Sequence, residues 1–248
     1  MDKYGLIGYP LGHSFSITYF NQKFADEGIN AKYENYELKG IDQLEEVLAM
    51  NPELKGLNVT IPYKEKVMDF LDSVAPEAQA IGAVNVIKVI HDGNKLKLKG
   101  FNSDVIGFTQ SIEPMIDHKW HQKALVLGTG GASKAICYGL KSLGIDPVCV
   151  SRYERPGTIC YNQVTPEVVK EYNVVVNCTP VGMYPNVDEC PPLPYEAMDQ
   201  HTILYDLIYN PDETLFMKRG REYGADVKNG LEMLLLQAFA SWEFWHSK

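Results

Sequence analysis

The sequence predicts an α/β protein with mostly parallel sheets, and three observations lead to this prediction. Short apolar runs, typical of strands buried on both faces, alternate with segments whose apolar residues recur three or four apart. One run, at 123–127, is followed by the glycine turn 128–131 and then by a helical pattern. Another, at 174–176, leads into the polar loop 177–183. Such an alternation is typical of parallel strands connected through helices.

The composition is that of an ordinary folded protein and excludes several function classes. The chain has 248 residues, enough for one large domain or two small ones, and 45% of them are hydrophobic. A formal net charge of −9 without any long basic run argues against nucleic acid as a partner. No apolar run approaches the ~20 residues of a membrane-spanning helix, so we expect no membrane partner.

The cysteines and histidines predict neither disulfides nor a metal site. The five cysteines are odd in number and contain no Cys-x-x-Cys motif, so we expect reduced thiols in a cytoplasmic protein. His118 and His121 lie in a polar stretch without cysteine partners, and we expect no metal there.

The first sixty residues contain polar side chains at the ends of predicted elements. Ser16 is expected to be the N-cap of a helix. Ser14 and Ser16 either form caps and turns or donate to an anionic group held over that helix N-terminus. Asn58 and Thr60 lie two apart and therefore share one face of their strand. The predicted elements are strands at 4–8, 31–38 and 57–60 and helices at 17–27 and 41–50.

Lys64 follows directly on this strand. Pro62 is expected to begin a helix that carries Lys64 in its first turn. A cation there opposes the helix dipole. This misfit favours a functional role for Lys64 over that of a solvated surface lysine.

A β-hairpin is predicted next, with strands at 83–90 and 95–99 and a turn at 91–94. Asn85 is polar within a strongly apolar strand. Asp104 precedes a helical pattern and either caps that helix or takes part in the chemistry. The polar segment 113–122 is a plausible crossing between two domains.

The glycine turn resembles the phosphate-binding half of a dinucleotide-binding βαβ unit. Gly128 permits a tight turn, and Gly130 leaves room for a pyrophosphate to approach the backbone. The N-terminus of the following helix favours that negative charge. Ser133 occupies the third small position of the usual G-x-G-x-x-G pattern, and a purely structural turn is the alternative interpretation.

The strand at 147–150 ends in Ser151, Arg152 and, shortly after, Arg155. A site that prefers NAD usually has an acidic residue there, which accepts from the ribose 2′-hydroxyl. Two guanidinium groups are better suited to a 2′-phosphate, so we expect NADP. The alternative is a pair of solvated surface arginines. The remaining predicted elements are strands at 202–209 and 225–227, a helix around 215–216 and a long helix at 230–245.

Eight ordered motifs, spread over nearly the whole chain, resemble those of the shikimate dehydrogenase family. The first four are Gly8-x-Pro10-x-x-His13-Ser14-x-Ser16, Asn58-Val59-Thr60-x-Pro62-x-Lys64, Ala83-x-Asn85 and Asn102-Ser103-Asp104. The others are Gly128-Thr-Gly130-Gly131-Ala132-Ser133, Asn177-x-Thr179-Pro180-x-Gly182-Met183, Asp206-x-x-Tyr209-x-Pro211-x-x-Thr214 and Gly230-x-x-Met233-Leu234-x-x-Gln237-Ala238. Ser103 stands where the family more often has Thr.

The resemblance implies two α/β domains around a cleft and the reversible NADPH-dependent reduction of 3-dehydroshikimate to shikimate. A substrate domain would comprise 1–107 and 229–248, and a Rossmann-like NADP domain 108–228. Lys64 and Asp104 would be the catalytic pair. The expected substrate-binding residues are Ser14, Ser16, Asn58, Thr60, Asn85, Asp104, Tyr209 and Gln237. The expected cofactor-binding residues are Gly128, Gly130, Gly131, Ala132, Ser151, Arg152, Arg155, Thr179, Met183 and Gly230.

The chemistry of carbonyl reduction is consistent with these residue types. A hydride adds to the carbonyl carbon, and the developing alkoxide needs a proton that an ammonium group supplies. No metal is required. Two alternatives stay open: an NAD-using quinate/shikimate dehydrogenase, and a ligand sensor that has lost the chemistry. A folate-linked dehydrogenase of similar build fits the substrate motifs poorly. We expect a monomer or a homodimer.

Overall fold

The computed structural model describes residues 1–12, 14–93 and 95–247, and the chain forms two compact units. The first unit comprises Met1–Ser103 and Ala238–Lys248, and the second comprises Asp104–Gln237. Each unit has a sheet with helices, so the predicted α/β class is confirmed. His13, in the first motif, and Asn94, in the predicted turn, lie outside the described residues. Among the described residues, no helix has the length and apolar character to cross a bilayer.

The first unit contains one mixed sheet. Its elements are β1 (Asp2–Gly8), α1 (Phe15–Asp26), β2 (Ala31–Glu37), α2 (Leu44–Met50), β3 (Leu54–Val59), β4 (Ser73–Val74), α3 (Pro76–Ile81), β5 (Val86–Asp92) and β6 (Lys95–Phe101). The strand order is β2-β1-β3-β5-β6-β4. Strand β1 pairs in parallel with β2 and β3, whereas β5 pairs antiparallel with β3 and with β6, as the predicted hairpin requires.

Apolar clusters cover this sheet. One is aliphatic and includes Leu44, Leu57 and Ile87. The other is rich in aromatic rings and includes Phe20 and Tyr33, which stack with their centroids 4.9 Å apart. Burial of aromatic side chains of this size is a large part of what stabilises a small α/β unit.

The second unit contains a sheet whose strands pair in parallel. Its elements are α4 (Asp104–Ile112), β7 (Lys123–Leu127), α5 (Gly131–Ser142), β8 (Asp146–Ser151), β9 (Thr158–Cys160), α6 (Pro166–Glu171), β10 (Val174–Asn177), β11 (Ile203–Asp206), α7 (Leu215–Glu222), β12 (Asp226–Lys228) and α8 (Leu231–His246), the last of which continues into the first unit. The strand order β9-β8-β7-β10-β11-β12 is that of a Rossmann fold, 3-2-1-4-5-6.

The order of the strands reverses between β7 and β10, and this switch point is where such sheets bind ligands. The core strands are buried on both faces, which explains their continuous apolar sequence: Val174, Val175 and Val176 have no exposed surface. The glycine turn leaves β7 and the polar loop leaves β10, so both begin at the carboxyl edge of the sheet, beside the switch point.

The two units divide at 103/104 and at 237/238, whereas the expected domain boundaries are at 107/108 and 228/229. Helix α4 belongs entirely to the second unit, because Phe108 and Ile112 pack in its core with Met233 of α8. The end of α8, from Ala238 on, belongs to the first unit, where Trp245 packs in the aromatic cluster. Which residues form the two functional domains stays a prediction.

Some elements differ from the sequence-based expectation. Helix α1 begins at Phe15, so its N-cap is Ser14 rather than the predicted Ser16. Strand β11 ends at Asp206, before the predicted end at 209, because the Ile208 N–H binds the Asp206 carboxylate instead of continuing the ladder. The short elements β4, α3, β9 and α6 have no counterpart in the prediction.

Candidate active site

Asn58 is held in the middle of the first unit by neighbours on three sides. It pairs with Leu6 of β1 and Val86 of β5. Its amide oxygen accepts from the Tyr33 hydroxyl at 2.8 Å, and its amide nitrogen donates to Ser241 Oγ at 2.9 Å and to the Asn85 carbonyl at 3.4 Å. The side chain is half-buried, so its orientation is set by these bonds.

Asn85 lies just before β5 and is 3% exposed. Its amide oxygen accepts from the Ser103 N–H at 2.7 Å, and its amide nitrogen donates to Ser103 Oγ at 3.0 Å. Ser103 Oγ also lies 3.2 Å from Ser241 Oγ. Tyr33, Asn58, Asn85, Ser103 and Ser241 thus form one connected set of hydrogen bonds, which we call the Asn58 network.

The other expected substrate residues of the first unit lie around β1 and β3. Ser14 and Ser16 are half-buried at the start of α1. Burial raises the pKa of the Tyr33 phenol, and a hydrogen bond with Ser16 opposes this rise, so Ser16 adjoins the Asn58 network. Thr60 follows β3, and its backbone N–H binds the Ile7 carbonyl at 2.9 Å.

Lys64 does not lie in the first turn of a helix, contrary to the expectation from Pro62. Its carbonyl accepts from the Val84 N–H at 2.7 Å, whereas in a helix this oxygen would bind the N–H of residue 68. The chain instead forms turns up to a 3-10 helix at Lys66–Phe70. The argument from the helix dipole therefore does not apply to Lys64, whose side chain is half-buried and whose backbone carbonyl is held by the Val84 N–H.

Asp104, Gln237 and Tyr209 belong to the second unit. Asp104 is 2% exposed and is the first residue of α4, directly after Ser103 of the Asn58 network. Gln237 is half-buried in α8, where its backbone lies close to Gly107. Tyr209 is 37% exposed, and partial burial raises the pKa of its phenol. Lys64 and Asp104 lie in different units, so their catalytic pairing stays a prediction.

The glycine turn has the properties expected of a phosphate site. Gly128 has φ +109°, a conformation that favours glycine, and a Cβ there would lie 3.3 Å from Thr179 Cγ2. Gly130 is the N-cap of α5, and a Cβ built on it meets nothing within 4 Å, so its surface is open to a ligand. Gly131 and Ala132 begin α5, where backbone N–H groups point out of the helix end. These features fit a pyrophosphate group.

The loop after β10 is organised by the Asn177 amide. Its oxygen accepts from the Thr179 N–H at 3.0 Å and from the Thr179 hydroxyl at 2.6 Å. Its nitrogen donates to Asp206 Oδ1 at 3.1 Å and to the Val181 carbonyl at 3.4 Å. All four hydrogen-bonding positions of the amide are therefore occupied, which fixes the loop where it passes Gly128.

Asp206, at the end of β11, has no exposed surface. Besides Asn177, its carboxylate accepts from the Ile208 N–H at 3.1 Å and from the Thr214 hydroxyl at 2.7 Å. Burial raises its pKa to about 6, against the effect of these hydrogen bonds. Thr214 is in turn the N-cap of α7. We call Asn177, Thr179, Asp206 and Thr214 the Asp206 network.

The residues expected to select NADP lie at the end of β8. Ser151 is buried and its hydroxyl accepts from the Tyr153 N–H at 3.3 Å. Arg152 is exposed, with its guanidinium 6.0 Å from the centre of the Tyr153 ring. Arg155 donates to Thr129 Oγ1 at 3.1 Å, so this guanidinium reaches the glycine turn itself. The structure thus brings Arg155 to the glycine turn, where the pyrophosphate is expected, and the expected contact of the two arginines with a 2′-phosphate stays a prediction.

Met183 and Gly230 are the remaining expected cofactor residues. Met183 is 46% exposed in the loop after β10. Gly230 precedes α8, and a Cβ at this position would lie 2.1 Å from the Leu207 carbonyl oxygen. Any side chain at 230 would displace the backbone after β11, so glycine is required there for packing.

Several residues that position these groups were not predicted from the sequence. Tyr33 and Ser241 belong to none of the motifs, and Asn177, Asp206 and Thr214 appear only as motif residues without a role of their own. The signal available was a polar residue within a strongly apolar segment, as at Asp206 in Ile-Leu-Tyr-Asp-Leu-Ile. Such residues are expected to be hydrogen-bonded when buried, but the sequence does not name their partners.

Comparison with known proteins agrees with this geometry. A family model described as the shikimate dehydrogenase substrate binding domain matches residues 6–87. A shikimate dehydrogenase (NADP(+)) of Caldanaerobacter subterraneus is 38% identical, covering 98% of this chain and 90% of its own length. The protein of the same name from Methanococcus aeolicus is 36% identical, covering 97% and 90%.

A solved structure extends this comparison to three dimensions. The shikimate 5-dehydrogenase of Thermus thermophilus, crystallised with NADP(H) and shikimate, is 29% identical and superimposes with a TM-score of 0.85. The match covers 100% of this chain and 94% of the other. Since the similarity in sequence and in fold extends over nearly the whole length of both proteins, this chain belongs to the shikimate dehydrogenase family.

Proposed function

We propose that this protein is an NADP-dependent shikimate dehydrogenase, which catalyses the reversible reduction of 3-dehydroshikimate to shikimate in aromatic amino-acid biosynthesis. The observation that carries this proposal is the similarity, over 97–98% of the chain, to curated enzymes of that name. The parallel sheet with an open glycine turn at its switch point supports the nucleotide half of the reaction.

The second unit is proposed to hold the nucleotide. Gly128, Gly130, Gly131 and Ala132 would bind the pyrophosphate through backbone N–H groups at the start of α5. Ser151, Arg152 and Arg155 would hold the adenosine end, where a guanidinium pairs with the 2′-phosphate. Thr179, Met183 and Gly230 would lie toward the nicotinamide. When bound, the reduced cofactor supplies the hydride.

The polar groups of the first unit are proposed to hold the substrate. Ser14 and Ser16 would bind its carboxylate at the start of α1. The substrate hydroxyls would meet Asn58, Thr60, Asn85 and, from the second unit, Asp104, Tyr209 and Gln237. Amide, hydroxyl and carboxylate side chains exchange hydrogen bonds with hydroxyl groups, so these residue types suit a ligand rich in hydroxyls.

Lys64 and Asp104 are proposed to handle the proton. In the reduction, Lys64 Nζ gives a proton to the oxygen that develops negative charge as the hydride arrives at the carbonyl carbon. In the oxidation, the neutral amine takes the proton of the same hydroxyl. The Asp104 carboxylate would orient the lysine side chain.

A direct test is to follow the near-ultraviolet absorbance of the reduced nicotinamide when 3-dehydroshikimate is added to purified protein and NADPH. We expect consumption of NADPH, and its formation when shikimate is supplied with NADP⁺. No turnover in either direction would overturn the proposed function and leave the ligand sensor.

The same assay separates this proposal from the NAD-using quinate/shikimate dehydrogenase. We expect higher kcat/KM with NADPH than with NADH, because Arg152 and Arg155 follow β8 and their guanidinium groups suit a 2′-phosphate better than a hydroxyl. Faster turnover with NADH, or oxidation of quinate as efficient as that of shikimate, would favour the alternative.

Location and assembly are part of the proposal. We propose a cytoplasmic enzyme, consistent with five free cysteines among the described residues, and a monomer or homodimer. Light scattering of the purified protein measures its mass, and a larger assembly would contradict this part.

A further inference from the structure

Two residues without a role in the proposed reaction lie in the Asn58 network. The Tyr33 hydroxyl donates to the Asn58 amide oxygen at 2.8 Å, and Ser241 Oγ accepts from the Asn58 amide nitrogen at 2.9 Å. Tyr33 has no exposed surface, and Ser241 is 1% exposed. Their bonds therefore act on Asn58 from the inside of the unit.

The orientation of the Asn58 amide follows from the Asn85 carbonyl. This oxygen faces the Asn58 amide nitrogen at 3.4 Å and already accepts from the Val59 N–H at 2.9 Å. If the Asn58 amide were reversed, two oxygens would face each other, and Tyr33 could no longer donate to it. The reversed amide is disfavoured by both contacts.

This orientation leaves an acceptor for a ligand. Both N–H groups of the Asn58 amide are directed to partners, Ser241 and Asn85. Its oxygen has two lone pairs, and among the described residues it accepts from Tyr33. Asn58 thus presents an acceptor, which suits a hydroxyl and repels a carbonyl or carboxylate oxygen at the same place.

We propose that Tyr33 and Ser241 are positioning residues, which fix Asn58 so that its amide oxygen accepts a hydrogen bond from a hydroxyl of the substrate. This inference rests on the proposed function, because it takes Asn58 as a contact to shikimate. Tyr33 acts through Asn58 and not on the substrate itself; its hydroxyl also has a hydrogen bond with Ser16, and the double-mutant cycle with Asn58 separates the two contacts. Ser241 accepts from the amide nitrogen of Asn58, on the side opposite Tyr33. Its hydroxyl also bonds with that of Ser103, the residue before Asp104 in the chain.

The test is a double-mutant cycle with Tyr33→Phe and Asn58→Ala. Phenylalanine keeps the stacked ring of Tyr33 and removes the hydroxyl. We expect Tyr33→Phe to raise the KM for shikimate about tenfold with little change in kcat, the pattern of lost substrate binding. The KM for NADP⁺ and the melting temperature should change little. Ser241→Ala should change the KM for shikimate in the same direction.

The cycle distinguishes positioning from a merely structural role. If Tyr33 acts through Asn58, the double variant should be within about twofold of Asn58→Ala alone. Tyr195→Phe is the matched control: this tyrosine is 4% exposed and donates to the Pro191 carbonyl at 2.8 Å in the second unit. It should leave the KM for shikimate unchanged, both in the wild-type protein and in the Asn58→Ala variant.

Two results would overturn the inference. If the effects of Tyr33→Phe and Asn58→Ala multiply, or if Tyr33→Phe behaves like Tyr195→Phe, then Tyr33 does not position Asn58, although the wild-type enzyme still turns over shikimate. If the wild-type protein neither binds nor turns over shikimate, the proposed function fails and this inference fails with it.

Discussion

The hydrogen-bond networks of the two units differ in charge: one is neutral and the other contains a carboxylate. The Asn58 network connects amides with hydroxyls, and burial raises the pKa of Tyr33, so this phenol stays neutral. The Asp206 network joins amide and hydroxyl donors around a carboxylate without exposed surface. The neutral Asn58 network does not titrate over an ordinary pH range, whereas the Asp206 carboxylate gains or loses a proton. The Asn58 network therefore holds its groups by neutral hydrogen bonds, whereas the Asp206 network contains one carboxylate that can ionise.

Lys64 is the largest expected exception to the neutral character of the first unit, because its side chain carries an ammonium group. We expect Lys64→Ala to lower kcat by at least ~100-fold, the scale of general acid–base catalysis, with smaller effects on the binding of shikimate. Steady-state kinetics in both directions measure this change.

Lys66→Ala is the matched control, since Lys66 is exposed in the 3-10 helix that follows. It should leave kcat unchanged. If Lys64→Ala also leaves kcat unchanged, Lys64 is an ordinary surface charge and the catalytic pair is refuted.

Arg152 adds a charge to the second unit in a place far more exposed than Asp206. We expect Arg152→Ala to lower kcat/KM with NADPH at least about tenfold more than with NADH, the size of a charge-assisted bond to a phosphate. Arg221→Ala, which removes an exposed guanidinium paired with Glu213, should affect both cofactors equally. Equal losses from Arg152→Ala would refute its role in selecting NADP.

The two amides at the centres of the networks can be compared directly. Asn177→Ala removes one of the donors to the buried Asp206 carboxylate and the amide oxygen that accepts from Thr179, and we expect it to lower the free energy of unfolding by about 2–3 kcal/mol. Asn58→Ala, whose partners are neutral, should cost about 1 kcal/mol. Denaturant titration of both variants measures the difference, and equal losses would contradict the distinction between the networks.

Asp206→Asn should change how stability depends on pH. The pKa of Asp206 is about 6 in the folded protein and ordinarily 3.8, so folding favours its protonated form. The protonated carboxyl therefore contributes to the free energy of unfolding. This contribution is complete below pH 3.8 and is lost as the pH rises through 6, a difference on the order of 3 kcal/mol.

The Asp206→Asn variant has an amide at position 206, which does not titrate. We expect the melting temperature of the wild-type protein to fall, relative to that of Asp206→Asn, between pH 4 and pH 7. Parallel curves for the two proteins would show that the carboxylate is not perturbed. Because both proteins share every other titrating group, the difference between the curves isolates position 206.

Much of the fold could be predicted from local patterns. The run Lys123–Leu127 predicts β7 because five apolar or amphipathic residues in sequence suit a strand buried on both faces. Gly128 and Gly130 predict the turn because glycine is typical of tight turns, and the φ of +109° at Gly128 is one that favours glycine. Lys64 shows the limit: Pro62 favours a helix start, but the bond between the Lys64 carbonyl and Val84, twenty residues later in the chain, leads to turns instead.

By itself, the sequence determined the α/β class, the glycine turn and the ordered motifs, because apolar period and glycine conformation are properties of short segments. Only the tertiary structure decided which groups satisfy one another: Asn58 meets Ser241 across 183 positions, and Asn177 meets Asp206 across 29. A buried polar group must find a partner, but any of many donors and acceptors suffices until packing brings one within reach. The direction in which each amide points, and with it what the site can bind, is set at that stage.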